Sequence, residues 1–327
     1  MVTKTTATSL AAEAARRLGW ETEVLDEYGV LFEVRRPDGA RRAMLGGRSA
    51  LNDAVAARLA GDKHYAAVLM ARAGLRVPRV ARCIGPAHAL ARHDPARSGM
   101  TEGRALAAEL GFPVVVKPNR LSHGRGVALV EDEPALEASV EAAWALDTIA
   151  LVQELAHGRD FRLDFLDGEY LLGYERLPIV ARGDGTSSVG ALIEALDDRF
   201  DSPASLLRVP RVAAAFEARG YDWQSVLADG EVLDLGGPIR NLNAGSTAVF
   251  VPSIPDALRD VCLRAAAAVG LRHFGVDLKL EALEDDPERA VFIEINSSPL
   301  LLQISRMGHR EEALDAQTRV LRATFRE

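Results

Sequence analysis

The stretch 291-VFIEINSSP-299 decides the fold, because it has the pattern of a strand but carries polar groups that a buried strand should avoid. Alternation with a period of two puts Glu294 and Asn296 on the same face of that strand. Burying a carboxylate without compensation is costly. We therefore expect a charged partner or a bound ligand against this face.

The segment before it supplies a third oxygen donor. FGVDLKL (274–280) is a second predicted strand, with Asp277 on the face opposite its apolar residues. If the strands pair antiparallel around EDDPER (284–289), Asp277 lies beside Glu294 and Asn296. Close carboxylates repel each other unless a cation compensates them, and hard oxygen ligands suit Mg²⁺. The hairpin predicts a magnesium site. The alternative is that this polar side of the hairpin simply faces solvent. Asn296 argues against it, because a solvated face does not need an amide between apolar neighbours.

A second candidate site lies in 110-LGFPVVVKPNRLSHGRGVALVED-132, which has the pattern of strand, loop and strand. Lys117 ends the first apolar run, and Gly124 and Gly126 allow the loop backbone to approach a ligand. A strand, not a helix, follows the glycines, so the segment is not a Rossmann fingerprint. It is not a Walker loop either, because it contains no Gly-Lys-Ser/Thr sequence. The loop is predicted to cover phosphates with its N–H groups, and a plain hairpin with a mobile tip is the alternative.

Composition limits the class of protein. The 327 residues allow two or three subdomains, and 48% apolar with 26% charged residues is typical of a soluble enzyme. A net charge of −8 argues against nucleic-acid binding. We see no signal peptide and no apolar run that would span a membrane. Cys83 and Cys262 are expected to be packing residues in a reducing, cytoplasmic location, and the histidine spacing does not indicate zinc.

Helical and strand-like segments are mixed along the chain, which predicts an α+β protein. Residues 9–19 are predicted as a helix and 24–45 as a short antiparallel pair. Residues 51–75 are predicted as two helices with a break at Gly61.

These pieces, in this order, resemble the ATP-grasp ligases from about residue 62 onward. Four motifs carry the resemblance: the opening lysine segment, the second lysine strand with its lid, the hinge, and the two metal strands. They are GDKHYAAVLMARAGLRVP (61–78), FPVVVKP (112–118), LVQELAHGRDFRLDFLDGEYL (151–171), and FGVDLKL with IEINSSP.

The likeness is strongest to the ligase domains of cyanophycin synthetase and bifunctional glutathione synthetase. RLPIVARGDGTSSVGALIEALDD (176–198) and IRNLNAGS (239–246) carry it. D-alanine–D-alanine ligase is a more distant relative that shares the N-x-SP ending. The resemblance implies an ATP-grasp fold with a short N-terminal subdomain (1–61), a subdomain with a glycine-loop lid (62–152), and a C-terminal sheet subdomain with a metal site (153–327).

The resemblance also implies roles for individual residues. Lys63 and Lys117 would contact the ATP phosphates, residues 153–156 would be the hinge at the adenine, and Asp160 would bind the ribose. The full ATP-binding set is Lys63, Lys117, Ser122, Gly124, Gly126, Gln153, Glu154, Leu155, Asp160 and Arg162. The ligands of Mg²⁺, or of Mn²⁺, would be Asp277, Glu294 and Asn296. The catalytic and substrate-binding residues would be Arg240, Asn241, Asn243, Ser297 and Ser298.

The implied function is an ATP-dependent carboxylate–amine ligase that forms a carbon–nitrogen bond between small amino-acid-like substrates. An acyl phosphate would be the intermediate, and ADP and phosphate the other products. Two alternatives stay open: a ligase that adds amino acids to a peptide or protein tail, and a nucleotide-binding protein without turnover. A larger acceptor groove with a basic lining would favour the first. The expected partners are a small acid and a small amine, with no nucleic acid or membrane; a homodimer stays open.

Overall fold

The computed structural model describes residues 7–122, 124–178, 180–195, 219–234 and 246–326. Within these ranges the α-helices are α1 (Ala7–Arg17), α2 (Ala54–Ala60), α3 (Lys63–Arg72), α4 (Ala89–His93), α5 (Thr101–Leu110), α6 (Glu133–Trp144), α7 (Val189–Ala195), α8 (Asp256–Val269), α9 (Leu302–Arg306) and α10 (Arg310–Thr324). The strands are β1 (Glu21–Val24), β2 (Leu31–Arg35), β3 (Arg41–Leu45), β4 (Val80–Ile84), β5 (Val114–Pro118), β6 (Ala128–Val130), β7 (Ile149–Glu154), β8 (Arg159–Leu166), β9 (Glu169–Pro178), β10 (Val180–Arg182), β11 (Val232–Asp234), β12 (Ser246–Val251), β13 (His273–Leu280) and β14 (Val291–Asn296).

Two antiparallel sheets provide most of the framework. The larger has the order β12-β9-β8-β13-β14, and the other has the order β4-β7-β5-β6. A three-stranded sheet, β1-β2-β3, lies near the N-terminus, and β10 pairs with β11. The prediction of a mixed α+β fold is confirmed.

The hairpin of β13 and β14 forms as predicted, with Asp277 opposite Glu294 and Gly275 opposite Asn296. A register shift between Asp277 and Leu278 leaves an extra residue on β14, so that Leu278 pairs with Phe292. Strict alternation would put Phe292 on the polar face. The bulge turns it into the core, where it is 1% exposed, and leaves the polar residues on the other side.

The five-stranded sheet buries one face against helices. Its apolar side chains alternate with charged ones along β8 and β13, as expected for a sheet with two different faces. The core on the apolar face includes Phe161, Leu163, Phe165, Phe274, Val276, Leu278 and residues of α2, α3 and α8. The rings of Phe165 and Phe274 stack with their centroids 4.9 Å apart. Asp160, Arg162, Asp164, Asp277 and Lys279 therefore lie on the opposite face. Arg159 and Glu175 are exceptions, because they pair with each other beside Phe161 on the apolar side.

Two further cores hold the rest of the described chain. Strands β4–β7 pack with α5 and α6 around residues such as Val116 and Val140. The N-terminal segment shares a core with the C-terminal helices, in which Leu10, Phe32 and Leu321 are fully buried. Both cysteines are free and buried. Among the described helices, none is long and apolar enough to cross a membrane.

The break between α2 and α3 puts Lys63 at the start of a helix. The predicted pair of helices is confirmed. Gly61 ends α2, and Asp62 is the N-cap of α3, where its carboxylate accepts a hydrogen bond from Tyr65 N. An aspartate is favourable at this position because it satisfies a free N–H group and the helix dipole. Lys63 is consequently the first residue of α3.

His273 should make the stability of the fold sensitive to acid. The side chain is buried, and its Nε2 has no hydrogen-bond partner in the described part of the chain. Burial, together with the charge of Arg162, lowers its pKa to about 4. In the unfolded chain histidine takes up its proton near pH 6.5. Between pH 6.5 and 4 the unfolded state binds more protons, so stability falls as the pH falls through this window.

We expect His273→Leu to reduce this acid sensitivity. The free energy of unfolding, measured by urea denaturation at pH 7 and pH 4.5, should drop less in the variant than in the wild type, by up to about 3 kcal/mol. His93→Leu is the matched control, because His93 is exposed. An equal pH dependence in wild type and His273→Leu would show that His273 is not the sensitive group.

Candidate active site

A cavity of about 600 Å³ lies on the charged face of the five-stranded sheet. The four-stranded sheet contributes Val115, Lys117 and Gln153 to its wall, and loops of the N-terminal sheet contribute Val30 and residues 45–48. The cavity is thus the meeting point of all three larger sheets.

The cavity brings together most of the residues that the sequence singles out. Those that line it are Lys63, Lys117, Ser122, Gly124, Gln153, Leu155, Asp160, Arg162, Asp277, Glu294, Asn296, Ser297 and Ser298. Arg240, Asn241 and Asn243 lie outside the described residues. Gly126 and Glu154 are described but do not line the cavity.

The two exceptions have local causes. Glu154 follows Gln153 on β7, so its side chain points to the other face of the sheet, where Oε2 accepts a hydrogen bond from Arg79 N at 3.0 Å. Gly126 lies at the base of the loop with a φ of +72°. A Cβ added there would meet Pro118 and Leu146, so this glycine is explained by packing rather than by approach to a ligand.

A network of charges covers the floor of the cavity. Arg162 donates to Asp164 Oδ1 at 2.6 Å and to Asp277 Oδ1 at 3.2 Å. Arg176 donates to Asp277 Oδ1 at 2.6 Å and to Asp160 Oδ1 at 2.7 Å. Lys279 Nζ lies 3.0 Å from Asp160 Oδ2. Charge-assisted bonds of this length are strong, and they offset the cost of burying the charges.

The network changes the expectation for Asp277. The sequence predicts a bound cation between Asp277 and Glu294, but Arg162 and Arg176 already lie against Asp277. Burial opposes ionisation of this carboxyl, but the two guanidinium groups outweigh it and hold its pKa below the ordinary value. The charge of Asp277 is therefore compensated by two guanidinium groups of the protein itself.

Glu294 and Asn296 lie beside this network. In the amide orientation that satisfies both neighbours, Asn296 donates to Glu294 Oε1 at 2.8 Å and accepts from Arg162 at 2.9 Å. The other oxygen of Glu294 is 3.9 Å from Lys63 Nζ. Glu294 is thus held from two sides, while its side chain stays 22% exposed to the cavity.

Lys117 and Lys63 provide positive charge near these carboxylates. Lys63 Nζ donates to the carbonyl of Leu121 at the start of the glycine loop. Lys117 is 5% exposed and forms no ion pair with the described residues. Burial lowers its pKa to about 8, with Lys63 adding to the effect and the carboxylates of Glu294 and Asp277 opposing it. An anion bound beside Lys117 would stabilise its protonated form.

Gly275 makes room for the charge network, a role that the sequence analysis did not assign to it. It pairs with Asp164 across β13 and β8. A Cβ at Gly275 would collide with the side chains of Asp164 and Arg162. Only glycine leaves space for this ion pair to lie flat across β13.

Arg176 and Lys279 were also missed as members of the site. A signal for Arg176 is present in the sequence: it lies opposite Asp160 across the β8–β9 hairpin, which turns at Asp167 and Gly168. The alternating charges at 160, 162 and 164 require partners on the neighbouring strands, and Arg176 is one of them.

Comparison with known proteins finds one matching family model and several relatives. Residues 71–180 match the family model described as the D-ala D-ala ligase C-terminus. The chain is 22% identical over 306 residues to the glutathione biosynthesis bifunctional protein of Desulfotalea psychrophila, which covers 90% of this chain and 38% of that protein. It is 28% identical over 200 residues to cyanophycin synthetase of a Nostoc species, which covers 58% of this chain and 22% of that protein. The chain therefore spans well under half of the length of these relatives.

A solved structure shows the same fold. The bifunctional glutathione synthetase from Pasteurella multocida superimposes with a TM-score of 0.58 and 19% identity, over 91% of this chain and 41% of the other. The predicted resemblance is thereby confirmed: this chain has the fold of the ATP-grasp ligases.

Proposed function

We propose that this chain is an ATP-dependent ligase that joins a carboxylate to an amine through an acyl phosphate. One observation carries the proposal. A single cavity is lined by two lysines, Lys63 and Lys117, and by the carboxylates of Asp277 and Glu294. Phosphoryl transfer depends on positioning and on neutralisation of charge, and this arrangement supplies both.

The nucleotide would bind between the two larger sheets. Lys117 is a buried cation without an ion-pair partner in the described ranges, so a phosphate can take that place. The paired part of β7 ends at Glu154, and the next two residues, Leu155 and Ala156, line the cavity. Their backbone would meet the edge of an adenine, and Asp160 would reach the ribose only by sharing its bonds with Arg176 and Lys279.

Mg²⁺, or Mn²⁺, fits the far side of the cavity. Within the described ranges no three His, Cys, Asp or Glu side chains converge on one point, so the donors would be two carboxylates and the amide of Asn296. Such hard oxygen donors suit Mg²⁺ when phosphates complete the set. The bound ion would neutralise phosphate charge and act as a Lewis acid. Glu294 is its first candidate ligand, because Asp277 is already engaged by two arginines.

The chemistry follows from the poor leaving group of a carboxylate. An oxygen of the acid attacks the γ-phosphorus, and the bond to the oxygen of ADP breaks. The amine nitrogen then attacks the acyl carbon, phosphate leaves, and the nitrogen loses a proton. Arg162 and Arg176 are fixed cations near the transferred group and cost no reorganisation during the reaction. Arg240, Asn241 and Asn243 remain proposed for this step, and Ser297 and Ser298 for binding the acid or amine.

Product analysis tests the proposed function. Purified protein with ATP and Mg²⁺ is screened against pairs of amino acids, with release of phosphate as the signal and mass spectrometry of the products. We expect ADP and phosphate, with release that needs the acid and rises when the amine is added. AMP and pyrophosphate as the main products would indicate adenylation instead, and the absence of turnover with every pair would argue for the nucleotide-binding alternative.

Glu294→Ala should lower turnover by roughly 10²–10⁴-fold, because it removes the least engaged candidate metal ligand. Glu294→Gln keeps the shape but not the charge and should require more Mg²⁺ for half-maximal rate. The control is Glu288→Ala, which removes an exposed ion pair with Arg264 outside the cavity and should have little effect. Turnover of Glu294→Ala near the wild-type value at millimolar Mg²⁺ would contradict the assignment.

The glycine loop, residues 119–126, should be ordered by nucleotide. Gly124 has a φ of +68° and lines the cavity, and successive N–H groups of such a loop can hold phosphate oxygens. Hydrogen exchange of the amides of Ser122, Gly124 and Arg125 should slow when a non-hydrolysable ATP analogue and Mg²⁺ are added. The turn at residues 284–289 is the internal control. Unchanged exchange in the loop at saturating nucleotide would mean that it is not a phosphate lid.

A further inference from the structure

One turn of the N-terminal sheet brings an arginine, Arg48, to the cavity. The proposed nucleotide site does not use this arginine. The turn consists of residues 45–48, and Arg48 lines the cavity. Its backbone is fixed by reciprocal hydrogen bonds between Leu45 and Arg48, at 3.2 and 3.0 Å, and by a bond from Gly46 N to Val30 O at 2.8 Å. The φ of Gly46 is +58°, so glycine suits this turn.

The turn packs against the segment that follows β14. A Cβ at Gly47 would meet Leu300 at 2.7 Å and lie 3.5 Å from Ser298 Oγ. The carbonyl of Ser297 accepts from Asn52 Nδ2 at 2.9 Å, and the same side chain binds the backbone of His273. Arg48 is therefore presented from a fixed wall that adjoins the end of the polar strand.

The charges in the cavity are unequal, with eight Lys or Arg residues and four Asp or Glu residues in its lining. Most of these cations have an acidic partner. The pairs are Arg162 with Asp164, Arg176 with Asp277, Lys279 with Asp160, Lys63 with Glu294, and Arg120 with Asp62.

Three cavity cations have no ion-pair partner among the described residues: Arg48, Lys117 and Arg125. Lys117 and Arg125 belong to the strand and glycine loop on the nucleotide side. Arg48 lies on a different wall, and no hydrogen bond of its guanidinium is found in the described ranges. Arg48 is exposed, so its guanidinium is free to exchange water for an anionic group of a ligand that enters the cavity.

The surroundings of Arg48 are apolar. Val30, Leu45 and Leu300 also line the cavity and are 43%, 47% and 40% exposed, and Val30 and Leu300 contact the turn that carries Arg48. Large apolar side chains exposed together beside a single cation indicate a ligand with an apolar part next to one negative charge. A planar guanidinium matches a carboxylate, which it can bind through two parallel hydrogen bonds.

We infer that Arg48 binds an unreacted carboxylate of the substrate, and that this substrate is an amino acid or short peptide with an apolar side chain beside that carboxylate. The inference rests on the proposed ligase function and deepens it, because it names the chemical class that one of the two substrate positions accepts. It makes Arg48 a specificity-determining residue, separate from the groups that hold ATP.

Paired probes test the inference without turnover. Leucine and valine, in both enantiomers, are compared with their α-carboxamides by calorimetric titration of the full chain saturated with Mg²⁺ and a non-hydrolysable ATP analogue. We expect Arg48→Met to weaken binding of the amino acid by about 10- to 100-fold, because the change removes a hydrogen-bonded charge. Binding of the amide, which has no negative charge to pair with Arg48, should stay within about threefold of the wild-type value. Arg48→Lys should restore part of the affinity, because a lysine keeps the charge but not the paired geometry.

The matched control is Arg72→Met, which removes an exposed arginine outside the cavity and should leave every affinity unchanged. Equal affinity of wild type and Arg48→Met for the amino acids, no preference for the carboxylate over the amide, or a loss confined to the nucleotide would each overturn the inference. The product screen reports separately on the ligase: carboxylate-dependent binding without ADP release would reject the proposed function but support the role of Arg48.

Discussion

The ion pairs of Asp277 with Arg162 and Arg176 are the interaction on which the site depends. Three charged groups are largely withdrawn from water there, with side-chain exposures of 14%, 11% and 13%. Removing one partner of such a group would leave a buried charge unpaired, which costs far more than the pair contributes. The strands that carry these residues must therefore keep their register, and the register fixes the position of every other group on the cavity floor.

The apolar side of the same sheet enforces that register. A slip of one residue between β8 and β13 would turn Phe161, Leu163 and Phe165 towards the charges and expose their partners. The stacked rings of Phe165 and Phe274 and the opposed charges thus select the same alignment from the two faces. The bulge in β14 is the one local departure, and it lets Phe292 join the core while Glu294 and Asn296 remain at the cavity.

Local signals in the sequence were enough for the elements, but not for the partners of the charges. The break at Gly61 is predicted because glycine interrupts a helix locally, and the β13–β14 hairpin is predicted because its strands are neighbours in the chain. The pairing of Asp277 with Arg176, by contrast, joins residues 101 positions apart through an intervening strand. Alternation also fails at the bulge, since an extra residue in one strand has no signature in the pattern of polar and apolar residues alone.

The distribution of charge in the cavity supports the proposed binding of a phosphorylated ligand together with a metal ion. The floor of the cavity is close to neutral, because two arginines and a lysine form ion pairs with the aspartates of β8 and β13. Lys117 is buried without an ion-pair partner among the described residues, and Glu294, 3.9 Å from Lys63, stays 22% exposed to the same space. A polyphosphate beside Lys117 and a divalent cation beside Glu294 would satisfy both at once, whereas either alone would leave the other side uncompensated. Binding of the two is therefore expected to be mutually dependent, since each supplies the counter-charge that the other requires.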